Sequence, residues 1–403
     1  MRIPFTPGFG EKPYILIGRS SVVDRYDDIL SNDDRTLFKH PLIVGARATG
    51  KTVLLHRLLD IAKRHKYATE YISTQMGIYE QLIYDLSGME FIVSKGKKLE
   101  VNPSATVSVP SSTGSTTFSI SGIRFERNED KRFFDVDLAS AICSILNKKK
   151  VKGVAIAIDE MNMAYIDDIR KIATTMQTLI ANGFPVSFIG AGIPEYIDEI
   201  KNDTSISFIR RMGQIDIGNL SLDDIALAID KTCRDYDIQT DGQASMAIAS
   251  ASDGSPFIAQ LFAYNACAIA RKRDSKHIYI TIDDCYDGFE EGLSTVFTSL
   301  VKPTLKSLTE KELDFMKAMG ELYPTSKIKI GDIVKITGQT KQYINIYKHR
   351  LIDKRIIKGD GRGYIKCIIP YMTMYLSDPG KYDETTTMDM TSMDNDPTAW
   401  TRR

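Results

Sequence analysis

The sequence predicts an α/β protein with a parallel central sheet, a helical region after it and a small basic module near its C-terminal end. Five short, nearly continuous apolar runs alternate with helical patterns, which is typical of parallel strands buried on both faces. A glycine-rich loop separates the first of these runs from an amphipathic helix. The stretch 302–376 carries 15 Lys/Arg against 7 Asp/Glu, a net charge of +8, although the whole chain is neutral.

Length and composition limit the class of protein. A chain of 403 residues is too long for one core, so we expect two or three domains. The 52 basic and 52 acidic residues cancel, and overall charge therefore indicates no partner. The five cysteines form no CxxC pair and no metal-ligand spacing, which favours reduced, buried thiols. No apolar run is long enough to span a membrane, and the first residues do not resemble a signal peptide. We expect a cytoplasmic protein without a membrane span.

The predicted strands lie between Pro41 and Leu220. Leu54, Leu55, Leu58 and Ala62 keep helical spacing after the first strand, which predicts an amphipathic helix to about Lys66. Alternation of such strands and helices predicts a parallel sheet. The five strands are predicted at Pro41–Ala46, Ala68–Thr74, Val151–Glu160, Phe184–Gly192 and Gly213–Leu220.

The glycine-rich loop has the pattern Gly-x-x-x-x-Gly-Lys-Thr between a strand and a helix, the context that a phosphate-binding loop requires. Its backbone N–H groups and the helix N-terminus would surround the β-phosphate of a nucleotide. Lys51 would reach the β- and γ-phosphates, and the Thr52 hydroxyl would bind Mg²⁺. The alternative is a turn that binds nothing. The predicted ATP-binding residues of this loop are Gly45, Ala46, Arg47, Ala48, Thr49, Gly50, Lys51, Thr52 and Val53.

A pair of carboxylates ends the third predicted strand. Asp159 is placed to hold Mg²⁺ through water, and Glu160 directly after it would act as general base on the attacking water. Alone, such a strand end is often a solvated turn. Together with the phosphate-binding loop it favours ATP hydrolysis over phosphoryl transfer to a small molecule.

Two arginines close a predicted helix directly before the fifth strand. Arg210 or Arg211 would reach the γ-phosphate in a neighbouring subunit and stabilise charge in the transition state. The alternative is an ordinary basic helix end, which the helix dipole favours. If an arginine reaches a neighbouring subunit, the chain self-associates and the arginine acts in trans. The sequence does not indicate which of the two arginines has this role.

The segment Glu90–Arg127 breaks the alternation of strands and helices. It alternates polar and apolar residues and is rich in Ser, Thr, Gly and Val, which predicts a β-hairpin insertion or a loop with short strands. A flexible low-complexity loop is the alternative. An exposed hairpin here is a candidate surface for a protein partner.

The basic module has three predicted helices followed by a hairpin with glycines at its tip, the pattern of a winged helix-turn-helix. A capping box at Thr309–Glu312 starts the first helix. In DNA-binding versions the third helix enters the major groove, and net positive charge tracks phosphates. The alternative is a module that contacts protein. The candidate residues for double-stranded DNA are Thr340, Lys341, Gln342, Tyr343, Asn345, Lys358 and Arg362.

In their order along the chain, these motifs resemble the AAA+ and related STAND ATPases. The motifs are Ile15–Arg19, the loop ending at Thr52, Ala155–Glu160, the arginine pair, Asn219–Ile229 and Gly254–Pro256. More narrowly, residues 14–376 look like the archaeal-ATPase and replication-initiator (origin-recognition) branch. The resemblance implies an ASCE α/β core, a helical lid and a C-terminal winged helix.

The resemblance also adds site residues and shows two departures. It implies that Gly18 and Arg19 lie near the adenine pocket and that Pro256 closes the lid side. Many members end the fourth strand with a polar sensor residue, whereas this chain has Gly190-Ala191-Gly192. Many place an arginine in the lid helix, where this chain offers Ser255, Pro256 and Gln260. Slow or switch-like hydrolysis is therefore compatible with the sequence.

Two functions remain open from the sequence. The first is a Mg²⁺-dependent ATPase that oligomerises and acts on DNA, and the second is a STAND-type nucleotide switch whose winged helix binds protein. A transcription regulator with a vestigial ATPase body is disfavoured by the intact loop and carboxylates. The predicted domains are an N-terminal arm (1–39), an AAA+ core (40–219), a helical lid (220–301), a winged helix (302–376) and a disordered acidic tail (377–403).

Overall fold

The structure, a computed structural model, describes residues 2–8, 13–93, 107–111, 114–118, 124–125, 134–135, 137–148, 150–325 and 327–384. The strands are β1 (Pro41–Gly45), β2 (Tyr67–Ser73), β3 (Val107–Ser111), β4 (Gly114–Phe118), β5 (Arg124–Phe125), β6 (Phe134–Asp135), β7 (Gly153–Asp159), β8 (Val186–Gly192), β9 (Gly213–Ile217), β10 (Gln239–Thr240), β11 (Tyr279–Ile280), β12 (Ile328–Lys329), β13 (Ile357–Gly359) and β14 (Tyr364–Cys367). The helices are α1 (Ser20–Asn32), α2 (Lys51–Arg64), α3 (Ile78–Val93), α4 (Leu138–Lys148), α5 (Ile166–Ala181), α6 (Pro194–Asn202), α7 (Ser207–Arg210), α8 (Leu222–Asp235), α9 (Ala244–Ser252), α10 (Pro256–Arg273), α11 (Ile282–Val296), α12 (Lys302–Lys306), α13 (Glu310–Gly320), α14 (Ile330–Thr337), α15 (Lys341–Asp353), α16 (Met372–Ser377) and α17 (Pro379–Glu384).

The main sheet has five strands in the order β2-β7-β8-β1-β9. Strand β7 pairs in parallel with β2 and β8, and β8 pairs in parallel with β1. Every residue of β1, β7 and β8 is buried, as expected for parallel strands covered on both faces. The predicted α/β fold with a parallel sheet is therefore confirmed, and β8 separates the strand before the glycine-rich loop from the strand that ends at Asp159.

The described residues group into two compact units. The sheet unit contains residues 21–44 and 54–216, and the helical unit contains the described part of residues 1–20, 45–53 and 217–403. This grouping differs from the predicted domain boundaries because the glycine-rich loop groups with the chain after residue 217. A Cβ added to Gly45 would lie 2.7 Å from the Ile217 carbonyl oxygen, so the two backbones pack directly together.

The core of the sheet unit is built from strands β7 and β8 and from amphipathic helices. Helix α5 illustrates why: its buried residues recur at helical spacing, and two aspartates occupy its first turn, where the helix dipole favours negative charge. The buried residues of α5 are Ile169, Ile172, Ala173, Met176 and Leu179.

The core of the helical unit includes α8, α9, α10 and α11 and continues into α13, α14 and α15. Ser221, Ser255 and Thr281 cap α8, α10 and α11 by accepting hydrogen bonds from backbone N–H groups. The N-terminal segment joins this core because Phe5 is only 2% exposed. The Thr6 N–H donates to Gln260 Oε1 of α10 at 3.0 Å, which fixes the segment to the helix.

The basic module contains α13, α14 and α15 and a three-stranded antiparallel sheet in the order β12-β14-β13. The predicted capping box is confirmed: Thr309 Oγ1 accepts from the Glu312 N–H, and Glu312 Oε2 accepts from the Thr309 N–H. Lys354 Nζ at the end of α15 lies 3.2 Å from the same buried Glu312 carboxylate, which ties α15 to α13.

The predicted acidic tail begins with an ordered helix instead of disorder. Helix α17 packs Tyr382 on Phe297, with ring centroids 5.0 Å apart, and Asp383 pairs with Lys302 at 2.7 Å. Burial of the tyrosine ring together with this ion pair explains why the first residues of the tail are ordered. Residues 385–403, including Trp400, lie outside the described residues.

The segment predicted as an insertion contains an antiparallel hairpin of β3 and β4, with Val107 opposite Phe118. Much of the remaining segment lies outside the described residues. Four cysteines are buried, Cys367 is partly buried, and none forms a disulfide. Among the helices that the structure describes, none combines the length and apolar character needed to cross a bilayer.

His40 lies directly before β1, and we expect it to make the stability of the sheet unit depend on pH. Burial, and then the neighbouring Lys39, lower the pKa of His40 from 6.5 to about 4. The His40 Nδ1 accepts a hydrogen bond from the Phe188 N–H at 3.3 Å, which requires an unprotonated ring nitrogen. The unfolded chain therefore binds the extra proton as pH falls below 6.5, and unfolding becomes easier down to about pH 4.

We expect the free energy of unfolding to fall by on the order of 3 kcal/mol between pH 6.5 and pH 4 because of this residue. Denaturant unfolding across that range measures the change. His40→Gln, which keeps a hydrogen-bond acceptor without titrating, should flatten the profile. An equally steep decline in that variant would show that other groups cause the acid sensitivity.

Candidate nucleotide site

The glycine-rich loop between β1 and α2 folds tightly on itself. Thr49 Oγ1 donates to the Ala46 carbonyl oxygen at 2.8 Å, and this hydroxyl is buried. Gly50 has a φ of +88°, a conformation that L side chains rarely adopt, so glycine is needed there. Ala48 also has a positive φ, of +62°. These turns produce the change of direction from strand to helix that a phosphate-binding loop requires.

Lys51, the first residue of α2, directs its amino group back to the loop. Lys51 Nζ donates to the Gly45 carbonyl oxygen at 3.0 Å and to the Ala46 carbonyl oxygen at 2.8 Å. The cation is thereby held at the N-terminus of α2, where the helix dipole also favours an anion. Thr52 follows on the same turn and Val53 after it, and Arg47 is exposed at the tip of the loop.

The residues implied for the adenine and lid sides lie in the helical unit. Arg19 donates through Nη2 to the Gly218 carbonyl oxygen, and burial lowers the pKa of its guanidinium without neutralising it. Gly18 lies against Leu220, since an added Cβ would come within 2.7 Å of Leu220 Cδ2. The N-terminal motif therefore packs on the chain that follows β9.

Pro256 lies beside the loop. A Cβ built on Gly50 would lie 3.8 Å from Pro256 Cγ, an ordinary van der Waals distance. Pro256 is the first residue of α10, and Ser255 before it caps the helix through the Ile258 N–H. The structure thus brings the loop, the N-terminal motif and the start of α10 into one unit.

The carboxylates lie at the end of β7 in the sheet unit. Asp159 is 2% exposed, and its Oδ1 accepts from the Glu160 N–H at 2.9 Å. Tyr71 Oη of β2 donates to Asp159 Oδ2 at 3.4 Å. The buried carboxylate therefore has a hydrogen-bond donor at each oxygen.

Glu160 is exposed and has a φ of +55°, a strained conformation for a residue with a side chain. Two neighbouring side chains support it. Thr74 Oγ1 donates to the Glu160 carbonyl oxygen at 2.5 Å, and Asn162 Nδ2 donates to the same oxygen at 3.1 Å. Non-glycine residues in this region persist only where their surroundings over-determine them, and they cluster at functional sites.

The end of β8 explains the absence of a polar sensor residue there. A Cβ on Gly190 would lie 2.8 Å from Leu42 Cδ1, and a Cβ on Gly192 would lie 2.8 Å from Ile197 Cδ1. No side chain fits at either glycine without displacing its neighbours. Asn162, after β7, is a polar residue that the sequence did not single out, and its Nδ2 donates to Thr74 Oγ1 at 3.3 Å.

Arg210 is the last residue of the short helix α7 and Arg211 follows it, and both are exposed. Arg210 Nη2 donates to the Thr204 carbonyl oxygen at 3.5 Å. The Arg211 side chain has no hydrogen-bond or ion-pair partner among the residues that the structure describes, although its backbone N–H donates to the Phe208 carbonyl oxygen. The two side chains therefore differ in their attachment to their own chain.

The candidate DNA-binding residues lie on α15 and on the hairpin. Those on α15 differ in whether they face the core or the solvent. Thr340 caps the helix by accepting from the Tyr343 N–H at 3.2 Å. The Tyr343 ring turns to Tyr347, with centroids 4.8 Å apart, and both are partly buried against the core. The solvent face instead shows Ile346, 52% exposed, a residue that the sequence analysis missed. Lys341 and Gln342 on α15 and Arg362 on the hairpin are exposed, whereas Asn345 and Lys358 are partly exposed.

The basic module contacts the turn that precedes α10. Tyr371 Oη donates to the Ala251 carbonyl oxygen, and Lys366 Nζ of β14 lies 4.0 Å from Asp253 Oδ1. Asn219 Nδ2 donates to the Asp253 carbonyl oxygen at 2.8 Å. This turn leads directly to Pro256, so its residues link the basic module to the chain beside the phosphate-binding loop.

A protein family described as a domain of unknown function (DUF8462) matches residues 298–376, which is less than half of the chain. The comparison with curated proteins finds no match. The chain is similar in structure to the ORC2 protein of Aeropyrum pernix, with 12% identity and a TM-score of 0.61 over 94% of this chain and 98% of that chain. It is also similar to a Walker-type ATPase of Pyrococcus abyssi, with 12% identity and a TM-score of 0.60 over 91% of this chain and 97% of that chain.

At these identities the similarity concerns the fold. The TM-scores of 0.61 and 0.60 show that this chain shares the overall fold of both neighbours. The ASCE P-loop fold predicted from the sequence is therefore confirmed.

Proposed function

We propose that the chain binds and hydrolyses ATP. The observation that carries this proposal is the folded loop at Gly45–Thr52, with Lys51 held over its carbonyl oxygens at the start of a helix. The parallel strands β1, β8 and β7 bring their carboxyl ends to one edge of the sheet, where Asp159 and Glu160 follow β7. The A. pernix neighbour was solved in complexes with ADPNP and ADP, which supports a nucleotide as the ligand of this fold.

Mg²⁺ fits the chemistry of the proposed ligands. Thr52 offers a hydroxyl and Asp159 a carboxylate, and oxygen is the donor that Mg²⁺ prefers. When bound, Mg²⁺ would neutralise charge developing on the β- and γ-phosphates. In this proposal Lys51 binds phosphate oxygens, and Glu160 accepts the proton of the attacking water.

Self-association is part of the proposal, and Arg211 is the better candidate to act in trans. Arg210 is attached to its own chain through Thr204, whereas Arg211 extends into solvent. A mass measurement with and without ATP tests this step. A monomer at saturating ATP would exclude an arginine supplied by a second copy.

The partner that we propose for the basic module is double-stranded DNA. We interpret its three helices and hairpin as a winged helix with a net charge of +8 over residues 302–376. On α15, the exposed Ile346 offers an apolar contact for a thymine methyl group beside the polar Gln342. Lys341 and Arg362 would contact phosphates.

Measuring the binding constant for a DNA duplex at two or more salt concentrations tests this proposal. We expect Lys341→Ala and Arg362→Ala each to weaken binding and to reduce the slope of log K against log [salt] by about 1. Lys231→Ala, which removes an exposed charge from α8, is the matched control and should leave the slope unchanged. Absence of duplex binding, together with ATP turnover that DNA does not alter, would contradict the DNA proposal.

The alternative, a STAND-type switch, has one observation in its favour. Tyr371 and Lys366 attach the basic module to the turn at Ala251–Asp253, next to the lid residue Pro256. A module held in that way is suited to report nucleotide state to a protein partner. A chain that binds ATP but does not bind a DNA duplex would favour this alternative.

A further inference from the structure

The register of β2 against β7 places a tyrosine beside the metal carboxylate proposed above. Tyr71 lies opposite Ala157, and Ser73 lies opposite Asp159. Side chains alternate between the faces of a strand, so Tyr71 and Asp159 lie on the same face of the sheet. This placement allows Tyr71 Oη to donate to Asp159 Oδ2 at 3.4 Å, while the Glu160 N–H occupies Oδ1.

The Tyr71 ring is held in position by a second ring. His56 of α2 packs on it with centroids 4.3 Å apart and an angle of 33° between the ring planes. A phenol keeps its O–H at neutral pH, so Tyr71 acts as a donor to the carboxylate.

We propose that Tyr71 is a positioning residue that orients the Asp159 carboxylate toward Mg²⁺, an inference that rests on the proposed ATPase function. Metal-binding carboxylates are commonly held by hydrogen bonds, and loss of such a partner typically reduces metal affinity by about 10- to 100-fold. At 3.4 Å the Tyr71 hydrogen bond is longer than a usual O–H···O bond. We therefore expect loss of this hydrogen bond to reduce Mg²⁺ affinity by about 10-fold, the lower end of that range.

The test compares binding of a fluorescent, non-hydrolysable ATP analogue over a range of Mg²⁺ concentrations. Tyr71→Phe removes only the hydroxyl and keeps the ring that packs on His56. This variant should bind the analogue like the wild type without Mg²⁺, and it should need about 10-fold more Mg²⁺ for half-maximal tightening. Tyr67→Phe makes the same change at the other end of β2 and should behave like the wild type.

A third variant separates failure of this inference from failure of the proposed function. Asp159→Ala should abolish the Mg²⁺-dependent tightening. If it does so while Tyr71→Phe retains the wild-type Mg²⁺ midpoint, the positioning role is wrong and the metal role of Asp159 stands. If Asp159→Ala still tightens with Mg²⁺, the proposed metal site is wrong. Equal weakening of Tyr71→Phe with and without Mg²⁺, or a matching shift in Tyr67→Phe, would indicate a structural effect and overturn the inference.

Discussion

Replacing Glu160 with Gln is expected to reduce steady-state ATP hydrolysis by about 100- to 10,000-fold, the range for loss of a general base. Glutamine has nearly the same shape but cannot accept the proton of the attacking water. The strained backbone should be unaffected, because the contacts with Asp159, Thr74 and Asn162 involve the Glu160 N–H and carbonyl oxygen. ATP should therefore bind and remain unhydrolysed.

Phosphate release under saturating ATP measures the change, and retained labelled ATP measures the trapped complex. Glu199→Gln, an equivalent change at an exposed position of α6, is the matched control and should hydrolyse ATP like the wild type. Unchanged turnover in the Glu160 variant would exclude it as the base.

Replacing Lys51 with Met is expected to weaken ATP binding by about 100-fold. Its amino group lies over the Gly45 and Ala46 carbonyl oxygens at the N-terminus of α2 and would contact the phosphates directly. Hydrogen bonds to charged groups contribute about 1.5–3 kcal/mol each, and 1.4 kcal/mol corresponds to a tenfold change.

Calorimetric titration with a non-hydrolysable ATP analogue checks this prediction. Lys63→Met, an exposed lysine in the last turn of the same helix, should bind like the wild type. A Lys51 variant with wild-type affinity and a wild-type unfolding curve would show that this loop does not hold the phosphates.

Local sequence patterns predicted the elements of the fold that depend on nearby residues. All residues of β7 are buried, which agrees with the apolar run at 153–159, the pattern typical of a strand covered on both faces. The Thr309–Glu312 capping box is likewise contained within four consecutive residues. The phosphate-binding loop combines both kinds of signal, a buried strand and glycines at required turns.

The features that the sequence analysis missed depend on contacts between distant segments. Tyr71 reaches Asp159 only because β2 and β7 pair in one particular register, which no local pattern specifies. Thr74 meets Glu160 for the same reason, although its place at the end of a predicted strand was a usable signal. Contact of Pro256 with Gly50 likewise joins two remote parts of the chain.

On α15, the helical spacing of the residues indicates which side chains are exposed better than the residue types do. Tyr343 and Tyr347 are four residues apart and therefore share a face, where their rings pack at an angle of 52°. That face points to the module's own core, so Ile346 is the more exposed side chain. Ile346 is apolar, but the helix places it in solvent.

Hydrogen–deuterium exchange of the chain with and without ATP tests the central claim most directly, because the claim is that the backbone N–H groups of Gly45–Thr52 bind phosphate. We predict slower exchange of peptides covering this loop when ATP and Mg²⁺ are added, and little change in the same peptides of Lys51→Met at the same ATP concentration. Unaltered exchange of the wild-type loop at millimolar ATP would contradict the claim.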